Sequence, residues 1–393
     1  MISWLAAFAI VGATIHTGDG PPLEDATLLV SGESVVALGP GVAVPEGVET
    51  IDGRGAVVTP GLVDVLSRLG VMEIELEPST IEATLGQGAD PVRAALRASD
   101  TFDARASTLP PARAAGITSA LVVPSGGLVS GQSAWVDLLP GAPPRRDPVA
   151  LHVRLGLGEG PGSRANSFLR LRELWADARL YRGNRGPYIS RRLRDLAVSA
   201  ADLEVLSRAL GRERIVVFHA HRHADILALL RMIERQRLNA RIAGGAEAWL
   251  AADELAAAGV GVILDPRLNL PYGFDTLRAR EDGARILHER GVELAFSTFG
   301  DAHRPQRLRI AAGNAVAHGV PYDAALAAIT RVPAQMFGSD AGVLRPGAPA
   351  DLVVWNGDPL EPARWATHVF VRGRPVDLTT RQDLLTRRYA PRD

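Results

Sequence analysis

Short apolar runs alternate with amphipathic, helix-length stretches through the middle of this chain, and β-rich runs broken by turns occupy both ends. Near the amino terminus the runs are Ala9–Ile15 and Ala26–Val30, separated by Gly, Pro and Asp turns. Near the carboxyl terminus Ala350–Trp355 and His368–Arg374 repeat that texture. All read as half-buried strands of a small sheet, which requires the two ends to pair across the whole chain. Between them, seven strands are predicted at Val57–Val65, Ile117–Val123, Ala150–Leu155, Ile215–His219, Arg241–Gly245, Gly261–Leu264 and Leu294–Thr298. Their alternation with helical stretches argues for a parallel α/β barrel. An eighth strand is expected between residues 156 and 214, a region that opens Gly-, Pro- and Ser-rich and continues as an amphipathic helix over Phe168–Leu180.

Composition narrows the function classes. The 393 residues are 47% hydrophobic and 22% charged, with a net charge of −1. That is a globular mix with ample core, and nothing in it favours nucleic acid or an anionic membrane. The chain has no cysteine, so disulfides and thiol catalysis are excluded, and all 43 basic residues are arginine. Met1–Phe8 is apolar but too short for a membrane span and lacks a basic leader. It reads as a short strand or frayed tail of a cytoplasmic protein; the remnant of an export signal is the alternative.

The stretch Val58-Thr59-Pro60-Gly61-Leu62-Val63-Asp64-Val65-Leu66-Ser67-Arg68 resembles the first barrel strand of the amidohydrolase superfamily, Pro-Gly-Leu-Ile-Asp-x-His-x-His. In that family the two histidines face one way from a strand end and grip a metal. Here the positions hold Leu66 and Arg68, and neither side chain ligates zinc. Without lysine the chain also cannot make the carboxylated lysine that bridges two metals in many relatives. Asp90–Asp103, Ala115–Ser119 and the loop Pro124–Ser133 are similar to an imidazolonepropionase-related branch. In that loop Gly131 and Gln132 are candidate substrate contacts, with glycine allowing close approach of backbone to ligand.

The resemblance implies a TIM-like (β/α)8 barrel over residues 58–341 and a small composite β-sandwich built from residues 1–57 and 342–393. Reacting groups then belong at the carboxyl ends of the strands. His219 stands at a metal-ligand position, with His221 and His223 at alternate places beyond it. In strand six, relatives show His-Gly-Thr-Glu-Ala; this chain reads Gly244-Gly245-Ala246-Glu247-Ala248, keeping Glu247 but replacing the histidine with Gly244. In strand eight, Phe299 occupies the slot of a catalytic aspartate, and a shifted register offers Asp301, with His303 two residues on.

These readings make His219, Asp301 and Arg68 the candidate catalytic residues, and His221, His303 and Glu247 candidate substrate contacts. Arg68 is expected to point into the barrel mouth and pair with Asp301, otherwise with Glu73 or Glu247, because a guanidinium there demands a carboxylate. Its stem reaching solvent at the rim is the alternative. Three functions follow. The first is a metal-free relative of hydrolases of non-peptide C–N bonds, acting on small cyclic amide-type compounds, that binds a small ligand or a related subunit as a homo- or hetero-oligomer. The second is an active hydrolase with a single divalent metal such as zinc, rebuilt from His219, His221, Asp301 and His303. The third is a metal-free hydrolase or isomerase that uses His219 and Asp301 as acid and base.

Overall fold

The structure is a computed structural model that describes residues 7–86, 88–156 and 162–390. Five strands lead the chain: β1 (Ala7–Ile15), β2 (Leu23–Ser31), β3 (Ser34–Pro40), β4 (Glu49–Asp52) and β5 (Val57–Pro60). Nine follow in the body: β6 (Leu62–Ser67), β7 (Ile117–Val122), β8 (Val129–Gln132), β9 (Ala134–Asp137), β10 (Ala150–Arg154), β11 (Ile215–Ala220), β12 (Ala240–Gly244), β13 (Gly261–Leu264) and β14 (Leu294–Phe296). Three close it: β15 (Leu352–Trp355), β16 (Ala366–Val371) and β17 (Arg374–Pro375).

The two ends share one eight-stranded sheet, ordered β17-β16-β15-β5-β1-β2-β3 with β4 beside β1. The strand period of two distributes β15 between two cores. Leu352 and Val354 join Ile10, Val58 and Phe370 on one face, whereas Val353 and Trp355 join the main core. Trp355 also donates from Nε1 to Thr59 Oγ1 at 2.9 Å.

The single strand expected over Val57–Val65 is two. β5 belongs to the terminal sheet and β6 to the body, and the chain crosses between them at Gly61. A Cβ at Gly61 would lie 2.0 Å from Thr118 Oγ1, so only glycine permits the crossing.

In the body, β10 to β14 form a parallel array extended by antiparallel β8, while β6, β7 and β9 form a second sheet. Only Ser133 separates β8 from β9, so one bent segment serves both sheets. On the other side, Ala328 and Ile329 lie between β14 and β6, accepting from Phe296 and Val63 N–H at 2.8 Å each. The fold is thus mixed α/β, and among the described residues no continuous ladder joins the two sheets into a ring.

The strand expected within residues 156–214 is not there among the described residues. That stretch carries the helices Arg164–Gly183, Arg185–Ile189 and Ala200–Leu210. Two strands are additional, β8 and β9; in β8, Ser130 and Gly131 disguise the strand as a turn. A neighbouring loop holds it in extension: Val129 N–H donates to Pro91 O and Gln132 N–H to Leu96 O, at 2.9 and 2.7 Å. No helix of the described residues is long and apolar enough to cross a membrane. Residues 1–6, part of the expected leading tail, lie outside the described residues.

Candidate functional site

The parallel strands aim their carboxyl ends at one mouth. At its floor Asp64, 1% exposed, ties β6 to the end of β14. It accepts from the Ser297 hydroxyl, from Thr298 Oγ1 at 2.5 Å and from Thr298 N–H at 3.2 Å. Burial raises its pKa while these bonds pull the other way. Leu66 N–H donates to the same Ser297 oxygen at 3.0 Å.

Leu66, where the resemblance implies a ligating histidine, is 2% exposed and packs in a core with Val65, Val217, Ala243, Ile263 and Ala295, with Phe299 against it. Leu66 and Phe299, at positions where the resemblance implies metal-site residues, are both apolar and packed in this cluster. Arg68 extends toward the segment after β14: a Cβ on Gly300 would lie 3.2 Å from Arg68 Cδ. Its expected partner is engaged elsewhere. Asp301 is paired with Arg307, and Arg304 lies 4.0 Å from it. Glu73 accepts from the Ser107 backbone and hydroxyl. Asp301 thus has a local cation in Arg307, which follows on the adjacent helix Arg307–Ala317.

His219 meets a residue that sequence reasoning missed. Its Nε2 lies 3.1 Å from His152 Nδ1, and its Nδ1 lies 3.5 Å from Arg154. Parallel pairing of β10 with β11 sets Arg154 opposite His219 and His152 opposite Val217. His152 is fully buried, and its Nε2 has no hydrogen-bond partner among the described residues. Burial and the Arg154 charge lower the His152 pKa to about 3. Burial, Arg154 and the two neighbouring histidines push His219 well below its ordinary value. Both imidazoles are neutral near pH 7. The available signal was His152 and Arg154, polar at i and i+2, inside the apolar run Ala150–Leu155.

His221, just past β11, packs its ring against β12. Its ring stands where a side chain at residue 244 would go: a Cβ on Gly244 would lie 2.7 Å from His221 Cε1. Tyr272 meets the other side of that ring edge-on, with centroids 6.3 Å apart. Together with Trp249, Leu268 and Phe299 they line a cavity of about 40 Å³.

The remaining candidates are structural or distant. Glu247 is occupied by backbone donors. It accepts from His223 N–H at 2.9 Å, capping the helix His223–Gln236 from outside, and from Arg278 N–H at 3.1 Å. His303 is exposed, beside a surface groove lined by Trp355 and Trp365. Gly131 and Gln132 belong to β8 beneath residues 91–97; a Cβ on Gly131 would lie 2.6 Å from Leu96 O. The close approach that requires this glycine is to the chain's own backbone.

The donor set does not fit a catalytic zinc, which takes three protein ligands and water. Among the described residues no three His, Asp or Glu side chains are grouped to hold an ion.

A sequence model of the amidohydrolase family matches residues 202–376. A curated relative, amidohydrolase tasK of Hapsidospora irregularis, is 27% identical over 107 residues, which is 27% of this chain and 11% of that protein. The match thus spans about a tenth of that relative's length. Among solved structures, an amidohydrolase from Thermotoga maritima MSB8 superposes with a TM-score of 0.85 at 24% identity, over 94% of this chain and 99% of that one. Molinate hydrolase superposes with a TM-score of 0.60 at 17% identity, over 95% of each chain. The family's sequence pattern matches residues 202–376, and the fold of these neighbours runs along nearly all of the chain, so the chain is similar to amidohydrolases in its carboxyl-terminal half and shares their fold.

Proposed function

We propose that this chain descends from hydrolases of non-peptide C–N bonds, near the imidazolonepropionase-related branch, and that its barrel mouth works without a metal, binding a small ligand or a related subunit. In this reading the two body sheets are halves of one (β/α)8 barrel over residues 58–341. Residues 1–57 and 342–393 make the composite β-sandwich beside it.

The observation that carries the proposal is the His152–His219 contact at 3.1 Å. The surviving ligand histidine sits against a second imidazole and a guanidinium, while Leu66 and Phe299 fill the space opposite with hydrocarbon. A metal-free acid–base enzyme is the second reading, favoured by the neutral His219, but Asp301 is held by Arg307 and would not serve as its partner without rearrangement.

Hydrolysis assays discriminate these readings. Small cyclic amides and molinate, for which one structural neighbour is named, are incubated with protein purified without chelators, before and after adding zinc. The proposal expects no turnover in either arm. Turnover that depends on zinc overturns it, and metal-independent turnover abolished by His219→Ala establishes the second reading.

A further inference from the structure

The connection from β13 to the helix Gly283–Glu289 runs from residue 265 to 282, longer than the roughly 12–15 residues that ordinary connections reach. Both its ends are fixed. At the start, Arg267 Nε donates to Asp265 at 2.9 Å. At the far end, Glu247 accepts from Arg278 N–H, and Trp249 Nε1 donates to Arg278 O at 2.8 Å. Between these anchors the chain turns its apolar side chains outward: Leu270 is 62% exposed, Tyr272 60% and Phe274 78%.

This segment roofs the cavity of about 40 Å³ beside His221. At roughly 10–15 Å³ per water, that space holds about three waters, far short of the roughly 300 Å³ at which ligand pockets begin. A ligand therefore enters only if a wall moves. Leu264, Ala284 and Leu287 on the inner sides are buried, so the exposed connection, above all its roof, is the wall able to move.

Arg164 ties the roof to the body. Arg164, at the start of the helix Arg164–Gly183, donates from Nε to Asp225 at 2.9 Å and pairs through its other branch with Asp275 on the roof. All three are largely shielded, with side chains 22%, 8% and 19% exposed. A shielded guanidinium bridging two carboxylates is a stronger tie than a surface pair.

We propose that residues 268–275 are a lid latched shut by Arg164 and Asp275, and that its release opens the cavity to a small, uncharged, largely apolar molecule. This rests on the reading of the mouth as a ligand site. The ligand class follows from the walls: Leu264, Leu268, Leu287, Trp249 and Phe299 supply hydrocarbon and rings, while the charged lining residues are already engaged, Asp265 with Arg267, Arg280 with Asp282 and the Trp249 ring, and Glu281 beside His318.

Hydrogen exchange on the full chain tests the latch, with indole binding by calorimetry as the probe of the cavity. Asp275→Asn leaves Arg164 its bond to Asp225; Arg164→Gln removes both. Each is expected to speed exchange within 268–275 by about tenfold or more while the body strands keep their protection, and to increase indole binding over the unaltered protein. Unchanged exchange in the lid of Asp275→Asn overturns the latch. Faster lid exchange without indole uptake keeps the latch but overturns the gated cavity, and with it the ligand-site reading. That result is separable from metal content, which neither substitution touches.

Discussion

His152 Nδ1 lies 3.1 Å from His219 Nε2, across the ladder of β10 and β11 and within reach of the Arg154 guanidinium. Two imidazoles held this close, beside a fixed positive charge and out of water, cannot both be protonated.

That contact makes stability depend on pH. The folded pKa of His152 is lowered from 6.5 to about 3, so between those values the unfolded chain binds the proton and the folded chain does not. Stability is fully present above pH 6.5 and is lost as pH falls through the window. The expected loss between pH 7 and pH 5 is roughly 2 kcal/mol from His152 alone, with His219 adding in the same direction. Urea denaturation at the two pH values measures it, and His152→Leu should flatten the dependence.

Restoring a histidine to strand six should fail. Gly244 has φ +97°, and a Cβ there would meet the His221 ring at 2.7 Å. Gly244→His should therefore destabilise by about 2–4 kcal/mol through backbone strain and collision. His221→Gly in the same chain should recover part of the loss, which a double-mutant cycle by thermal unfolding reads directly.

Asp64 is the fastening between β6 and β14. Asp64→Ala strands the Ser297 hydroxyl and both Thr298 donors inside the protein and should cost about 3 kcal/mol or more. Asp64→Asn, which retains an acceptor, should cost less than half of that. Equal losses in the two variants would mean that the hydrogen bonds contribute little.

Gly131→Ala separates backbone packing from ligand contact. With φ +121° and Leu96 O at 2.6 Å from the added carbon, it should lower stability by about 2 kcal/mol or more. Chemical denaturation that finds the variant as stable as the parent would contradict the packing described for β8.

Several parts of this architecture could be read from residue patterns. β11, β12 and β13 are runs of Val, Ile and Ala bounded by turns, and the pairing of the chain's ends was legible in matching strand texture. β8 was not, because Ser130 and Gly131 carry little strand propensity; residues 91–97 hold it in place. At the site, Leu66, Arg68 and Gly244 stood in the sequence at positions where the resemblance implies ligands, and none of the three side chains offers a lone pair to a metal. The pairing of His152 with His219, 67 residues apart, was hidden because only the ladder register brings them together. Asp301 looked like a partner for Arg68 from strand geometry; its pairing with Arg307, six residues away on the following helix, was not foreseen. The fate of His221 was equally hidden: its ring fills the room that Gly244 leaves.

Elemental analysis of the full chain, purified without chelators and dialysed against metal-free buffer, tests the central claim most directly. The metal-free account predicts well under 0.1 equivalent of zinc, manganese, iron or nickel, because His219 alone cannot supply the three ligands a catalytic site requires. About one tightly held ion per chain, lost in His219→Ala or His152→Ala, would contradict it.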